Sequence, residues 1–105
     1  LLQGGEWNGK QLVSKAYLEN SVKPAMHLKD TGGNAVFYYG WQWWIMEHQS
    51  KEIIYMRGVN GQYVFVIPEE NMVIVRLGHK RDKEKQNYAP IDVFTWLDAG
   101  FDIAQ

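Results

Sequence analysis

The sequence predicts an α+β fold, in which an antiparallel sheet of about four strands packs against a C-terminal helix and a short helix lies near the N-terminus. Three runs rich in β-branched and aromatic residues follow one another between residues 53 and 77, with only short polar separators, as in an antiparallel meander. Apolar residues then recur at helical spacing over residues 91–104. A sheet and a helix that each have one apolar face bury those faces against each other in a layered α+β domain.

The N-terminal part predicts a helix end followed by one short helix. Residues 1–5, Leu-Leu-Gln-Gly-Gly, are typical of the last turn of a helix that glycine terminates. We therefore expect residues 1–105 to form a single partial domain, the C-terminal part of a larger fold. Ser14 is placed to cap a helix that runs to about Val22.

The middle of the chain predicts one long strand over residues 35–46. Gly40 within it indicates a bulge or a close approach of another backbone. Both faces of this strand are apolar, so we expect both to be covered and its tryptophans to pack in the core. A hairpin loop over residues 47–51 leads from this strand into the meander.

The meander strands are predicted at residues 53–56, 62–67 and 72–77. The second separator, Pro-Glu-Glu-Asn at 68–71, favours a tight turn, because proline suits an early turn position and asparagine tolerates a left-handed backbone. The first separator, Gly-Val-Asn-Gly at 58–61, has glycines that permit a close approach and leave the two middle amides free to donate hydrogen bonds. This first separator is the candidate functional segment.

The C-terminal part predicts a charged surface loop and a helix. Residues 79–86 are rich in Lys, Arg, Asp and Glu, which is typical of a solvated turn. Pro90 suits the first turn of a helix that runs from about Ile91 to Ala104. The apolar positions expected on its buried stripe are Ile91, Val93, Phe94, Trp96, Leu97, Phe101, Ile103 and Ala104.

Composition excludes several classes of function. The formal net charge is −1, which gives no electrostatic basis for binding nucleic acid or an anionic membrane surface. Cysteine is absent, so disulfides, thiolate nucleophiles and cysteine-based zinc sites are impossible. No apolar run approaches the roughly 18–20 residues of a membrane span. The histidines at 27, 48 and 79 are too scattered for metal-ligand spacing, so the sequence predicts neither a metal nor a cofactor.

Three segments resemble the serine β-lactamase and penicillin-binding-protein superfamily, and in particular its class C-like esterase branch, which includes the nylon-oligomer hydrolases. Residues 57–69, with a following strand that ends in Val-Arg-Leu-Gly-His, resemble the strand pair that carries the family's third motif. The Gly-x-Trp-x-Gly connector at 5–9 and the Tyr-Gly-x-x-Trp-Trp segment at 39–44 match in the same order. The resemblance implies that the chain is the C-terminal part of the β-lactamase-like α+β sandwich.

The resemblance also implies a role for the first separator. In that family a Lys-Thr-Gly motif, or a variant of it, lies beside the active site, and the amide just after its glycine is one of two oxyanion-hole donors. Placing Gly58 on that glycine puts the backbone N–H of Val59 on the donor, with Met56 and Arg57 at the lysine and threonine positions. The lysine and threonine contacts that usually hold a β-lactam carboxylate are then missing. Their absence favours an esterase, amidase or peptidase.

Three further side chains are candidates for contacts with a substrate. Arg57 is suited to hold an acidic group of a substrate. The alternative is that Arg57 is an ordinary exposed arginine on a strand, with no role in binding. Asn60 and Gln62 either contact the substrate or make structural hydrogen bonds across the turn.

The chain lacks the family's nucleophile and base. That chemistry uses a serine with a lysine three residues later and a tyrosine relay. No Tyr-x-Asn occurs, and the serines are followed at that spacing by other residues, namely Ser14 by Tyr17, Ser21 by Pro24 and Ser50 by Ile53. We therefore expect an inactive segment, whose partner is the missing N-terminal part of the same protein. The substrate implied is a small-molecule ester or amide, or a peptide, and the resemblance favours the periplasm or secretion.

Three other functions stay open. A non-catalytic binding or assembly module would pair with another chain through an exposed sheet edge, and a cut segment would self-associate there. A carbohydrate-binding domain would use Trp41, Trp43 and Trp44 as a stacking platform. A catalytically dead family member would act as a receptor.

Overall fold

The computed structural model describes residues 1–104. Eight strands and two α-helices occur in these residues, and four of the strands have only two residues each. In chain order they are β1 (Glu6–Trp7), β2 (Lys10–Gln11), α1 (Lys15–Ser21), β3 (Trp44–His48), β4 (Lys51–Gly58), β5 (Gln62–Ile67), β6 (Met72–Arg76), β7 (Lys85–Gln86), β8 (Ala89–Pro90) and α2 (Asp92–Ala104).

The central sheet has four antiparallel strands in the order β3-β4-β5-β6. Its register pairs Trp44 with Tyr55, Tyr55 with Phe65, and Phe65 with Ile74. β1 with β2, and β7 with β8, form two separate two-stranded ribbons. The predicted α+β fold, with a four-stranded antiparallel sheet, a C-terminal helix and a short N-terminal helix, is confirmed.

The core lies between one face of the sheet and α2. We call this face the helix face; on β4 and β5 it consists of Ile53, Tyr55, Arg57, Tyr63, Phe65 and Ile67. Its buried apolar side chains cluster with Val93, Leu97 and Phe101 of α2. Each large apolar side chain buried in this way contributes roughly 1.5–3 kcal/mol relative to exposure. The period-two pattern of the strands therefore sets which residues meet the helix.

Gly100 sets how closely α2 approaches the sheet. A Cβ atom on Gly100 would lie 2.9 Å from Ile74 Cγ1 and closer still to Ile74 Cδ1. Atoms do not pack that closely, so only glycine admits the Ile74 side chain of β6 beneath the helix at this depth.

The turns of the meander follow the sequence prediction. Pro68–Glu70 forms a single 3₁₀ turn, and Asn71 ends it with a left-handed backbone at φ 48° and ψ 46°. β3 and β4 are joined by Gln49 and Ser50 alone, both at positive φ. The connection predicted over residues 47–51 is thus shorter than expected, because the ladder extends to the pair of His48 and Lys51.

The β3–β4 turn is anchored to α2. His48 Nε2 lies 2.6 Å from Asp98 Oδ1, and the Gln49 amide donates to the same oxygen at 2.7 Å. The His48 ring also stacks on Phe101, with centroids 6.3 Å apart and planes at 15°. These contacts tie the edge strand β3 to the helix that covers the sheet.

The prediction of a single long strand over residues 35–46 is wrong. Strand structure begins at Trp44, and residues 35–43 make only isolated bridges, Lys29 with Ala35 and Tyr39 with Trp44. The close approach predicted at Gly40 is present, since a Cβ there would lie 2.6 Å from the Lys23 carbonyl oxygen. The segment turns at this glycine to dock on the end of α1, so it cannot continue the ladder.

The prediction that all three tryptophans of this segment pack in the core is also wrong. Trp44 packs against the core cluster and Trp43 is half-buried, but Trp41 is 58% exposed and contacts the His27 ring at 5.2 Å. The turn at Gly40 breaks the strict alternation on which the prediction depended.

The N-terminal segment differs from prediction at its start. Residues 1–5 form tight turns and no α-helix, with Gly4 and Gly5 at positive φ. Ser14 caps α1 as predicted, because its hydroxyl accepts a hydrogen bond from the Tyr17 amide at 3.0 Å. The helix ends at Ser21, with Val22 as its C-cap.

The C-terminal helix begins later than predicted, and fewer of its apolar side chains are buried than predicted. α2 starts at Asp92, because Pro90 belongs to the β7–β8 ribbon. Trp96 is 36% exposed, Ile103 is 86% exposed and Ala104 is exposed, so these three predictions are wrong and the buried stripe ends at Phe101. The helix extends past the edge of its contact with the sheet.

The opposite face of the sheet is only partly covered. We call it the second face; it includes Ile54, Met56, Val64, Val66 and Val73. Ile54 and Val66 are buried, whereas Met56 is 45% and Val73 49% exposed. A cavity of about 590 Å³ separates α1 and the first residues of the chain from this face. The second face therefore presents apolar surface that residues 1–104 do not fill.

Candidate functional site

The turn between β4 and β5 is a three-residue connection. Gly58 pairs with Gln62, so the loop consists of Val59, Asn60 and Gly61. Asn60 and Gly61 have φ of 62° and 84°, the left-handed conformation that asparagine and glycine tolerate. The sequence pattern of a glycine-flanked turn therefore folds as a tight hairpin loop.

Val59 projects from the end of the hairpin. Its side chain is 78% exposed. Among residues 1–104, no group accepts a hydrogen bond from the backbone N–H of Val59 or of Asn60. The loop thus presents two neighbouring donors that the described chain does not use.

Arg76 holds this loop from the neighbouring strand. Its Nη1 donates to the carbonyl oxygens of Gly61 at 2.6 Å and Lys80 at 2.8 Å, and more weakly to that of Asn60 at 3.4 Å. A Cβ on Gly61 would collide with the Arg76 guanidinium and the Lys80 carbonyl. Glycine at position 61 is needed for this clamp, which fixes the direction of the amides before it.

The two polar side chains predicted to contact a substrate have different environments. The Gln62 amide makes a reciprocal pair with Gly78, donating to its carbonyl oxygen and accepting from its N–H at 3.0 Å. This is the structural alternative that the sequence left open for Gln62. The Asn60 side chain makes no hydrogen bond within residues 1–104. Asn60 therefore stays a candidate contact, and Gln62 would have to give up its bonds to Gly78 to act as one.

Arg57 is held on the helix face. Its guanidinium carbon lies 3.5 Å from the centroid of the Trp44 ring, and Nη1 donates to the Tyr88 carbonyl oxygen at 3.0 Å. Stacking on an aromatic face and one backbone acceptor fix the plane of the guanidinium while leaving other N–H groups to donate. The exposed arginine considered as the alternative is not what the structure shows, since Arg57 is half-buried.

The serines have structural positions. The Ser14 hydroxyl caps α1, and the buried Ser21 hydroxyl donates to the Leu18 carbonyl oxygen at 2.8 Å. Ser50 occupies the β3–β4 turn at φ 61°. Within residues 1–104, none of these hydroxyls bonds to a lysine or histidine side chain. The described residues therefore contain no activated serine of the kind that acyl transfer requires.

A pair formed by the buried Tyr63 hydroxyl and the half-buried Asp92 carboxylate was not predicted. The Tyr63 hydroxyl donates to Asp92 at 3.2 Å, and the Asp82 N–H donates to the same carboxylate oxygen at 3.2 Å. The pair joins β5 to the start of α2 and to the charged loop. The partners are 29 residues apart, so no local spacing could reveal them.

This pair gives a prediction for alkaline pH. Burial, and then the negative charge of Asp92, raise the pKa of Tyr63 to about 12, from about 10 for a tyrosine in an unfolded chain. The contribution of Tyr63 to stability is therefore fully present below about pH 10, and it is lost as the pH rises through 12. We expect the free energy of unfolding to fall across this window, and Tyr63→Phe to remove that part of the fall.

Site-resolved NMR titration of the tyrosine rings checks this prediction. The unfolded chain, with a tyrosine pKa of about 10, serves as the reference. Ionisation of Tyr63 in the folded protein at the pH expected for the unfolded chain would contradict the predicted effect of burial and of Asp92.

Neither a family model nor a curated protein matches the chain. Within residues 1–104, no three His, Asp or Glu side chains come together as a set of metal ligands. In the same part of the chain, no helix has both the length and the apolar character needed to cross a bilayer.

Proposed function

We propose that the chain is the C-terminal part of a β-lactamase-like serine hydrolase, to which it contributes the third-motif strand and one oxyanion-hole amide. The observation that carries this proposal is the rigid β4–β5 turn, with the unused N–H of Val59 at its end. An oxyanion hole requires a preorganised donor that faces the developing charge and does not reorganise during the reaction. The hydrogen bonds from Arg76 to the turn supply that rigidity.

The roles of the other residues follow from the same proposal. Gly58 has no side chain between β4 and the reacting group. A Cβ there would lie 3.0 Å from Gln62 Cβ, so glycine also suits the pairing of the two strands. Arg57, fixed by Trp44 and the Tyr88 carbonyl, directs its remaining N–H groups toward an acidic part of the substrate. The reaction would transfer the acyl group of an ester, an amide or a peptide to the nucleophilic serine and then to water.

The nucleophile, the base and the other oxyanion donor come, in this proposal, from a preceding part of the same protein. That part would also cover the apolar second face, where Met56, Val73 and Val75 are 45–59% exposed. Apolar side chains grouped on one sheet face are typical of a surface that packs against another layer.

A non-catalytic binding or assembly module is the second candidate. The observation that favours it is the edge strand β6, which pairs with β5 on one side only among residues 1–104. The strand presents unpaired backbone groups along its free edge, and its exposed Val73 and Val75 add apolar surface beside them. A strand added from another chain would satisfy these groups. Self-association of the purified chain in size-exclusion chromatography would argue against this candidate, because a cut segment associates through its open edge whereas a module that folds alone elutes as one well-behaved species.

The first test of the hydrolase proposal uses the purified chain. We expect no hydrolysis of a chromogenic ester, because the serines lack an activating lysine or histidine. Measurable turnover that a serine-directed phosphonate abolishes would contradict the proposal, since it would place the nucleophile among the residues present.

A further inference from the structure

A cleft of about 420 Å³ runs along the outer edge of β3, and one side of it is a wall of aromatic rings. The rings of Tyr38 and Tyr88 stack with centroids 4.0 Å apart and planes at 9°. Phe37 meets both rings edge-on, at 5.6 Å and 5.4 Å. Phe37 is 57% and Tyr88 48% exposed, so this wall is open to a ligand from solvent.

The floor of the cleft is acidic. Glu47 and Glu52 both line it, and they are direct cross-strand partners in the β3–β4 ladder. Like charges placed directly opposite each other destabilise a sheet. Among residues 1–104 the nearest lysine in sequence, Lys51, pairs instead with Glu70 at 3.6 Å, and neither Glu47 nor Glu52 has an ion-pair partner. Two carboxylates that form no ion pair among residues 1–104 thus lie beside an aromatic wall.

A backbone acceptor adds to this arrangement. The Ile45 N–H donates to the Tyr38 carbonyl oxygen at 2.8 Å, so the main-chain groups of Ile45 point to the outer edge of β3. Main-chain direction alternates with a period of two along a strand, so the carbonyl oxygen of Glu47 points to the same edge. It has no hydrogen-bond donor among residues 1–104.

We propose that this cleft binds an alkylammonium group, the cation of an amine ligand. The exposed face of an aromatic ring attracts an organic cation, the ring edges contact its alkyl chain, and desolvation in a cleft strengthens the attraction. The two carboxylates and the Glu47 carbonyl supply the acceptors that an ammonium group needs. The Arg57 guanidinium lies over Trp44 on the helix face and donates to the Tyr88 carbonyl oxygen at 3.0 Å, whereas the side chains of Glu47 and Glu52 belong to the second face.

The site is distinct from the β4–β5 turn, and it does not depend on the hydrolase proposal. The cleft lies on β3 at one edge of the sheet, and the turn belongs to β4 and β5. A failure of one proposal therefore leaves the other standing.

The test is an NMR titration of the chain with n-butylammonium chloride at constant ionic strength, with n-butanol as the uncharged probe of the same carbon skeleton. We expect saturable shifts of the Tyr38 and Tyr88 ring signals with the cation, and binding of the alcohol weaker by about tenfold or more. The absence of saturation, or equal affinity for the alcohol, would overturn the proposal.

Variants test the acidic floor and the aromatic wall of the cleft separately. The double variant Glu47→Gln/Glu52→Gln should weaken binding of n-butylammonium by about tenfold or more, because both negative charges are lost while the shape of the cleft is kept. Phe37→Leu should weaken it about threefold through loss of the ring. Glu6→Gln, which removes a carboxylate from β1 outside the cleft, is the matched control and should leave affinity unchanged. Unchanged affinity in the folded double variant would contradict the site.

Discussion

Val59→Pro in the complete hydrolase is expected to lower the turnover of an ester substrate by about 10²–10³-fold. Proline removes the backbone N–H that we assign to the oxyanion hole while it keeps an apolar side chain at the position. The side chain of Val59 is 78% exposed, so its own packing contributes little to the fold. The measurement is the steady-state rate of hydrolysis for purified wild type and variant.

Val59→Ala is the matched control for this prediction. It shortens the same exposed side chain but retains the N–H, so turnover close to wild type is expected. Circular dichroism and thermal unfolding of both variants establish that the hairpin is intact. A folded Val59→Pro enzyme with wild-type turnover would show that the amide is not an oxyanion donor.

Phe65→Ala is expected to lower the free energy of unfolding of the chain by about 3–5 kcal/mol. Phe65 is 0% exposed at the centre of the helix face, and its ring lies 5.5 Å from that of Tyr55 and 5.4 Å from that of Tyr63. Removing the ring leaves a cavity that the surrounding strands and α2 cannot close without moving. Urea unfolding followed by fluorescence measures the change.

Val75→Ala is the corresponding control on the second face. Val75 is 59% exposed on the neighbouring strand β6, so we expect a loss of less than about 1 kcal/mol. Equal losses for Phe65→Ala and Val75→Ala would contradict the division of the sheet into a packed helix face and a second face that residues 1–104 leave partly open.

The repeated local patterns of the meander were sufficient to predict its fold. Alternation in β4 and β5 selects Tyr55, Tyr63 and Phe65 for one face, and the proline and asparagine of the second separator specify the turn that follows. These signals act over a few residues, so the sequence contains them directly.

The long strand was mispredicted because tertiary contacts override its composition. Residues 35–43 have strand-forming side chains, but Gly40 packs against backbone oxygens of Ser21 and Lys23, and the chain turns there. A tertiary contact also overrides the local pattern at the start of α2. Pro90 suits a first helical turn, yet it pairs with Lys85 in a ribbon. Gly40 indicates a close backbone approach but not that the chain turns there, and the pairing of Pro90 with Lys85 has no signal in the local sequence.

The candidate turn could be found from its glycines, but its environment could not. Arg76 lies 15 residues from Gly61, and Gln62 lies 16 residues from Gly78. Such pairs form only once β6 and the segment after it lie beside the turn. The stacking of Arg57 on Trp44, and the cleft on β3, likewise depend on how separate segments come together.

The most direct test of the hydrolase proposal is the intact mass and the upstream sequence of the polypeptide as its source produces it. If the proposal holds, the polypeptide extends upstream of Leu1 and contains Ser-x-x-Lys followed by Tyr-x-Asn. Screening for substrates should then begin with esters. A native polypeptide without that serine and lysine would contradict the assignment, and the unpaired edge of β6 would become the first place to look for a partner.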